Sequence, residues 1–301
     1  MRNKKGLPPK TGGDTKLKVK ERSELMDFLL SKMGGMSRSS VKSLLAHRQV
    51  YVNGKIETLF NLELKPNDII TVSSARGNTE LVHPRLKIIY EDQYLIVVEK
   101  KEGLLTVSTG KNDETTAFSI LKTHVKKSSP RNRIYVVHRL DRETSGVIMF
   151  AKSRDVQLFL QENWHRIVTK RVYVALVEGM VEKESDTIVS WLTENEKSLK
   201  IHSSSVDNGG QQAVTHYRRV KANDKYSLLE IELETGRKNQ IRVHMQGIDH
   251  PIVGDRKYGS DDLTLGRVGL HARILAFIHP ESRKEVKFET AVPRSFLSVF
   301  H

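Results

Sequence analysis

The sequence predicts an α+β protein in which a small α+β module precedes a larger domain built on a mixed, mostly antiparallel sheet. The chain has 301 residues, 38% of them apolar, which is enough for one large domain and a smaller one. Within the first 72 residues the apolar spacing changes from helical to alternating. From residue 86 onward, many short β-type segments alternate with helical stretches. These three observations together define the fold class.

The composition restricts the partner and the chemistry. A formal net charge of +14 favours a polyanionic partner, with nucleic acid first, because cationic side chains release the counterions condensed on phosphates. A merely soluble basic protein is the alternative. The chain has no cysteine, which excludes disulfides, thiolate catalysis and cysteine-based zinc sites. Because no apolar run approaches about 20 residues, we expect a cytoplasmic enzyme, and we expect it to be a monomer.

The first elements are a basic tail and two helices. A disordered tail is predicted for residues 1 to 17, because this stretch contains few large apolar side chains. Ser23 is the predicted N-cap of a helix over residues 24 to 33, in which apolar residues recur at helical spacing. After Gly34-Gly35, Ser37 caps a second helix whose outer face carries Arg38 and Lys42. The inner faces of the two helices are formed by Leu25, Met26, Leu29, Leu30 and Met33 and by Val41, Leu44 and Leu45.

Short strands follow the helices. Val50 and Val52 alternate up to Asn53-Gly54, a pair suited to positive φ, and Ile56 resumes the pattern beyond this turn. A further strand is predicted over residues 69 to 72, and residues 74 to 85 form a polar linker.

Residues 18 to 73 resemble the S4 RNA-binding domain of ribosomal proteins and RNA-modifying enzymes. The resemblance rests on the Ser-Arg-Ser-Ser-Val-Lys-Ser-Leu-Leu run from residue 37 and on the run from Arg48 to Lys55. It implies that the second helix and the following turn present basic side chains to structured RNA. The alternative is a helical pair with an ordinary solvated charged face. The matching basic positions are Arg38, Lys42, Arg48 and Lys55.

The remainder, residues 86 to 301, predicts one mixed sheet with helices between its strands. Helices are expected over residues 155 to 162 and 240 to 245, the first with an apolar side. The predicted strands are 87 to 90, 94 to 99, 147 to 151, 171 to 177, 213 to 220, 226 to 234 and 286 to 289.

A dense polar cluster lies between two β-type apolar runs at residues 136 to 147, which is typical of a functional loop. Asp141 stands between Arg139 and Arg142, and nearby positive charge favours the ionised carboxylate. An ionised Asp acts as a nucleophile or a base. Gly146 allows a turn or the close approach of a ligand. The residues alone leave open a structural ion-pair network.

A second cluster, residues 234 to 245, ends a strand and opens a helix. Helix N-termini bind anions, and Arg237 and Lys238 strengthen such a site, so phosphate binding is predicted. Arg242 lies on a different face and is able to pair with a buried carboxylate. The histidines at 250, 271 and 279 invite a metal site, but their spacing is irregular, and structural histidines are the preferred interpretation.

These motifs resemble the RluA-type family of RNA pseudouridine synthases over residues 86 to 293. The His138-Arg139-Leu140-Asp141 run with Thr144-Ser145-Gly146 is similar to the family signature. The second motif is matched by residues 171 to 179, and the third by residues 235 to 244, 250 to 259 and 270 to 272. The resemblance implies a catalytic domain with flanking helices and a central cleft, an isomerase that needs neither cofactor nor metal, and an S4 module as a common companion.

The resemblance also implies roles for individual residues. Asp141 is the catalytic carboxylate, Tyr173 packs against the uracil and assists removal of its C5 proton, and Arg242 pairs with Asp141. Arg139 fills the space left by the flipped uridine or holds a phosphate, and Leu270 lines the uracil pocket. The family usually has Thr-His where this chain has Lys238-Asn239, which affects RNA contacts at that edge but leaves Arg242 in register.

The expected substrate is structured RNA, with large-subunit ribosomal RNA preferred over transfer RNA. Two alternatives belong to other classes. One is a non-catalytic RNA-binding factor for ribosome assembly with a vestigial pocket. The other is a metal-dependent nuclease or phosphodiesterase that uses His138, Asp141 and the later histidines.

Overall fold

A computed structural model describes residues 14–46, 49–73, 81–108 and 115–300. The described residues divide into two compact units. One comprises those up to Leu81 with Lys126–Pro130, and the other comprises those of Val82–Val125 with those from Arg131 onward. Across these four ranges, no helix has the length and apolar character needed to cross a bilayer.

The smaller unit places two helices against short antiparallel strands. Ser37 caps the second helix by accepting a hydrogen bond from the Ser40 amide at 3.2 Å. Asn53 and Gly54 both have positive φ, which makes the tight turn predicted between two strands. The elements are β1 Thr15–Lys18, β2 Ser23–Glu24, α1 Leu25–Lys32, α2 Arg38–Ala46, β3 Val50–Val52, β4 Lys55–Ile56, β5 Glu63–Leu64 and β6 Ile69–Val72.

The apolar faces of these elements form one core. Strands pair in the order β1-β6-β3-β4, and β2 pairs with β5. The helix spacing seen in the sequence places its apolar side chains inward, against those of the strands. The buried members are Val19, Leu25, Met26, Phe28, Leu29, Val41, Leu45, Val50, Leu64, Ile70 and Val72.

Two predictions about this unit are wrong. Thr15–Lys18 pairs with β6, and Leu17 packs against the core, so the tail predicted for residues 1 to 17 extends too far. Residues 1 to 13 lie outside the described residues. Ser23 is paired in β2, and Glu24 precedes α1 without a capping hydrogen bond from its side chain. Strand pairing at both positions competes with the local signals that predicted a tail and a cap.

The larger unit is built on one large sheet. Its helices are α3 Ala117–Ser128, whose last three residues are grouped with the smaller unit, α4 Arg154–Glu162, α5 Trp164–Ile167, α6 Gln240–Gly247 and α7 Arg294–Leu297, with short 3-10 turns at Arg256–Tyr258 and Ser298–Phe300. Its strands are β7 Leu86–Glu91, β8 Leu95–Lys100, β9 Tyr135–Val136, β10 Ser145–Ala151, β11 Val168–Glu178, β12 Ser185–Glu194, β13 Ile201–Ser204, β14 Gln211–Ala222, β15 Tyr226–Leu233, β16 Leu270–Ile278 and β17 Glu285–Glu289.

The strand order is β13-β12-β14-β15-β11-β16-β10-β8-β7, with β9 beside β10 and β17 beside β16. β10 pairs in parallel with β16 and antiparallel with β8, and β11 pairs antiparallel with both β15 and β16. The predicted mixed, mostly antiparallel sheet is therefore confirmed. The sequence interpretation did not include β12, β13, β16 or α3.

Candidate active site

A cleft of about 350 Å³ opens over the middle of the large sheet, where β10, β11 and β16 lie side by side. It brings together seven of the residues singled out in the sequence, all from the larger unit. These are Arg139, Asp141, Tyr173, Arg237, Lys238, Arg242 and Leu270. Other lining side chains come from His138, Val147, Trp164, Arg171, Leu233, Asn239, Ile241, Ala272, Ile274 and Leu275.

Asp141 lies on the loop between β9 and β10, and its side chain is 27% exposed. The loop backbone is held on both sides of this residue. The Thr106 hydroxyl donates to the Leu140 carbonyl at 2.7 Å and accepts the Leu140 amide at 3.2 Å, while the Thr144 amide donates to the Asp141 carbonyl at 3.2 Å. The carboxylate is thus presented to the cleft from a fixed backbone, a requirement for a reacting group.

Lys100 is wholly buried and contacts the backbone of the same loop. Its ammonium donates to the carbonyls of Leu104 at 2.8 Å and Arg142 at 3.3 Å, and the Gly103 amide also donates to the Arg142 carbonyl at 2.8 Å. Burial lowers the pKa of Lys100 to about 8. A buried cation with carbonyl partners is therefore part of the support for the Asp141 loop.

Gly146 allows the loop to join the sheet. Its φ is +116°, and a Cβ at this position would lie 2.0 Å from the Ala272 carbonyl oxygen. Gly146 and Ala272 are partners in the parallel β10–β16 pair. The sequence assigned this glycine to a turn or to close ligand approach. The group that approaches it is the backbone of the neighbouring strand.

Arg242 is held chiefly by Asp255, a carboxylate that is 1% exposed. Its Nε and Nη2 donate to the two Asp255 oxygens at 2.6 and 2.7 Å. Its Nη1 lies 3.7 Å from Oδ2 of Asp141 and donates to Oδ1 of Asn239 at 3.3 Å. Burial opposes the charge, but the hydrogen bonds to Asp255 outweigh it and raise the pKa of Arg242.

This arrangement refines two expectations. The sequence predicted that Arg242 pairs with a buried carboxylate, and in the structure this carboxylate is Asp255. The distance from Arg242 to Asp141 is longer than its distances to Asp255. In the structure, Asp141 forms an ion pair with Arg242, a residue from a distant part of the chain, whereas the sequence singled out its neighbours Arg139 and Arg142. Arg139 is exposed at the cleft, and Arg142 lines a separate pocket with Arg85.

The Lys238-Asn239 pair occupies the start of α6. Asn239 has φ +54° and donates from Nδ2 to the Tyr258 hydroxyl at 3.0 Å. The Tyr258 ring lies 5.0 Å from the Arg242 guanidinium. Lys238 forms an ion pair with Glu194. Asn239 therefore helps to orient Arg242, while the ammonium of Lys238 is directed to a carboxylate of β12.

Tyr173 and Leu270 form the apolar wall of the cleft. Tyr173 lies on β11 and pairs with Ala272 of β16, and Leu270 is 3% exposed at the start of that strand. Burial raises the pKa of Tyr173, so its hydroxyl stays protonated at neutral pH. An aromatic face with a polar tip suits a planar heterocycle.

Three arginines and a lysine form the basic rim of the cleft. Arg237 donates from Nε to the Gln212 carbonyl at 3.1 Å. Arg171 donates from Nη2 to the carbonyls of Leu233 and Glu234 at 3.1 and 2.8 Å, and burial lowers its pKa. With Lys238 and Arg139, these side chains make the mouth of the cleft attractive to phosphates.

The histidines that suggested a metal have ring nitrogens bonded to protein groups. His138 accepts the Met149 amide at Nε2, and burial lowers its pKa to about 3, so the ring is neutral. His271 contacts the hydroxyls of Ser145 and Thr290 at 2.8 and 2.9 Å. In the described ranges, no group of three His, Cys, Asp or Glu side chains is placed to hold a metal ion.

The predicted RNA-binding residues of the first module belong to the smaller unit. Arg38 and Lys42 lie on α2, where Arg38 is 3.8 Å from Asp27 and the Lys42 ammonium is 5.5 Å from the Phe60 ring centroid. Lys55 is exposed on β4. Arg48 lies outside the described residues.

Sequence reasoning missed Asp255, Lys100 and Trp164. Asp255 follows the glycine of a turn, and the sequence gives no signal that it meets Arg242. Lys100 ends an apolar strand, a position that suggests an exposed charge. Trp164 begins α5, and its ring centroid lies 4.9 Å from that of His138.

Comparison with known proteins identifies the family. Residues 94–247 match the model of the RNA pseudouridylate synthase family. An uncharacterised RNA pseudouridine synthase of Mycoplasma pneumoniae is 35% identical over 91% of both chains. Ribosomal large subunit pseudouridine synthase D of Neisseria meningitidis serogroup B is 33% identical over 89% of this chain and 75% of its own.

A solved structure supports the same assignment. Human RNA pseudouridylate synthase domain containing 4 superposes with a TM-score of 0.58 and 25% identity, covering 70% of this chain and 90% of that one. The solved structure thus matches 70% of this chain in fold, whereas the two relatives match about nine-tenths of it in sequence. This chain therefore belongs to the RNA pseudouridylate synthase family and is an RNA pseudouridine synthase, an isomerase.

Proposed function

We propose that Asp141 is the carboxylate with which this enzyme opens and remakes the glycosidic bond of a uridine held in the central cleft. The observation that carries the proposal is the position of Asp141, whose partly exposed carboxylate faces a cleft of about 350 Å³ beside the buried Arg242. The reaction breaks the bond from ribose C1′ to uracil N1 and forms a bond to C5. A carboxylate attacks the sugar carbon or removes a sugar proton without a cofactor.

The neighbouring residues have complementary roles in this proposal. Tyr173 and Leu270 pack against the uracil while it turns. The raised pKa of Tyr173 favours this packing role over direct proton abstraction. Arg242 orients Asp141 and balances its charge. A uridine stacked in RNA reaches the cleft only when it is flipped out, at a cost of a few kcal/mol, and the exposed Arg139 fills the space that it leaves.

The proposed substrate is large-subunit ribosomal RNA, and the smaller unit is proposed to act as an S4-type RNA-binding module. Support comes from the ribosomal relative of Neisseria meningitidis and from the net charge of +14. Arg38, Lys42, Arg48 and Lys55 are the proposed RNA contacts of this module. Arg237 and Lys238 are the proposed contacts at the cleft.

The test uses RNA labelled with tritium at uracil C5, which the wild type should release. Asp141→Asn should lower release by about 10⁴-fold or more, while RNA binding persists. Glu143→Gln, on the same loop, serves as the control and should retain activity. Substantial release by Asp141→Asn would refute the proposed role.

The target is found by mapping pseudouridines after incubation of the wild type with unmodified ribosomal and transfer RNA transcripts. We expect modified positions in large-subunit ribosomal RNA. Modification confined to transfer RNA would overturn that assignment and leave the chemical role of Asp141 intact. Binding of both RNAs without any product would instead favour a non-catalytic RNA-binding factor.

A further inference from the structure

A second groove, of about 230 Å³, lies next to the catalytic cleft in the larger unit. It is formed by the start of α5, the first residues of β11 and the end of β15. The groove and the cleft share Trp164, Arg171 and Leu233 as lining residues. The two spaces are therefore neighbours that share these side chains as walls, an arrangement that suits two adjacent nucleotides of one strand.

Arg171 lines both spaces. Its guanidinium donates to the carbonyls of Leu233, the last residue of β15, and of Glu234, which follows it. Gly236 makes room for it, because a Cβ there would lie 2.5 Å from the Arg171 Nη1. The half-buried Trp164 lies at the junction and contributes an indole ring. Nucleobases stack on aromatic side chains whatever their sequence, so a base fits this junction.

The charges of the groove favour a base over a phosphate. Glu232 lies 3.8 Å from the Lys170 ammonium, and Glu234 lies 3.5 Å from the His216 ring. The Lys170 ammonium is thus paired with a carboxylate, and the Arg171 guanidinium is already bonded to two backbone carbonyls, so a phosphodiester in the groove would meet two carboxylates. A carboxylate accepts hydrogen bonds from the exocyclic amino groups of bases. Uracil has no amino group, and its carbonyl oxygens flank its one N–H donor, so carboxylates repel its edge.

We propose that this groove binds the base of a nucleotide directly beside the target uridine and that Glu232 and Glu234 select a base with an exocyclic amino group. This proposal rests on the proposed function, since it assumes that a flipped uridine occupies the neighbouring cleft. The groove is then a specificity site of the same reaction. It adds a preference for adenine, cytosine or guanine over uracil at one position next to the modified base.

The test begins from the uridine that the wild type modifies in ribosomal or transfer RNA transcripts. The surrounding segment is transcribed with both neighbouring nucleotides randomised, incubated with the full-length enzyme, and mapped for pseudouridine. The wild type should deplete uracil by about tenfold at one of the two positions. The double variant Glu232→Gln with Glu234→Gln should reduce that depletion to about twofold, because an amide both donates and accepts hydrogen bonds.

Glu230→Gln provides the matched control, since Glu230 lies on the same strand outside the groove, where it pairs with Arg218 and Arg273. It should keep the wild-type preference. Equal use of all four neighbours by the wild type, or an unchanged preference in the double variant, would overturn this proposal alone. If the wild type modifies no uridine in the starting transcripts, the proposed function itself fails.

Discussion

At the scale of single residues, the charge on Arg242 is divided unequally between two carboxylates. Asp255 binds two of its nitrogens at 2.6 and 2.7 Å, whereas the distance to Asp141 is 3.7 Å. Because Asp255 neutralises Arg242 and fixes its orientation, Arg242 does not need a short hydrogen bond to Asp141. Asp141 therefore stays near a cation, and in the proposed reaction its carboxylate remains available for attack on the sugar.

Asp255→Asn should damage both stability and turnover. The substitution leaves a buried guanidinium without its anion, which costs about 3 kcal/mol of unfolding free energy. Arg242 then swings toward Asp141, and kcat should fall by about 100-fold while the Kd for RNA stays unchanged. Urea denaturation and single-turnover tritium release measure the two effects. Asp186→Asn, which breaks an exposed pair with Lys183, is the control. Wild-type kcat in Asp255→Asn would contradict the positioning role.

Lys100 gives the folded protein a pH dependence of known sign. Burial lowers its pKa from 10.5 to about 8, so between these values the unfolded chain holds a proton that the folded chain lacks. The unfolding free energy therefore rises with pH across this window, by about 3 kcal/mol from this group. Lys100→Met should lose that rise, as measured by urea denaturation from pH 7 to 10.5. The exposed Lys101→Met should follow the wild type, and identical pH profiles for all three proteins would contradict the argument.

At the scale of elements, the parallel contact between β10 and β16 determines where the Asp141 loop ends. The two strands approach so closely at Gly146 that the Ala272 carbonyl occupies the space of a side chain. Ser145, one residue earlier, bonds the His271 ring at 2.8 Å. The loop is thus attached to the central strand that also carries Leu270.

Gly146→Ala should therefore destabilise the protein by about 3 kcal/mol, since both positive φ and overpacking oppose the new methyl group. Separation of the strands also moves Asp141, so activity should fall even at temperatures where the variant is folded. Thermal unfolding followed by circular dichroism, together with tritium release, checks both outcomes. Gly247→Ala is the matched control because a Cβ there meets nothing within 4 Å. Wild-type stability in Gly146→Ala would contradict this prediction, because it would mean that β10 and β16 move apart at little cost in free energy.

The elements that the sequence predicted correctly are those whose signals lie within a short stretch of the chain. Helical spacing predicted α1 and α2, because their apolar faces depend on residues only three or four positions apart. The polar run between two apolar segments predicted the loop of Asp141. β16 was missed because His271 and Arg273 interrupt its apolar pattern. Their partners, Ser145 and Glu230 among them, lie far away in the chain. Asp255 was missed as the partner of Arg242 because it lies 13 residues further along, beyond a turn, where neither helical nor strand spacing links the two.

At the scale of the whole molecule, positive charge is present in both units, but the two units have separate cores and different basic surfaces. The cleft carries Arg139, Arg171 and Arg237, whereas α2 of the smaller unit carries Arg38 and Lys42. Phosphate contacts add affinity without changing the chemistry at a flipped base. RNA binding and isomerisation should therefore be separable by substitutions in the smaller unit.

Arg38→Ala with Lys42→Ala should weaken binding to structured RNA and leave the single-turnover rate at saturating RNA unchanged. If each side chain contacts one phosphate, the slope of log K against log salt concentration falls by about two. Filter binding at several salt concentrations measures this slope. Lys221→Ala with Lys225→Ala removes the same charge from exposed positions on the larger unit and controls for net charge alone. Equal losses of affinity in the two double variants would mean that binding depends on overall charge, and the RNA-binding role of the smaller unit would be refuted.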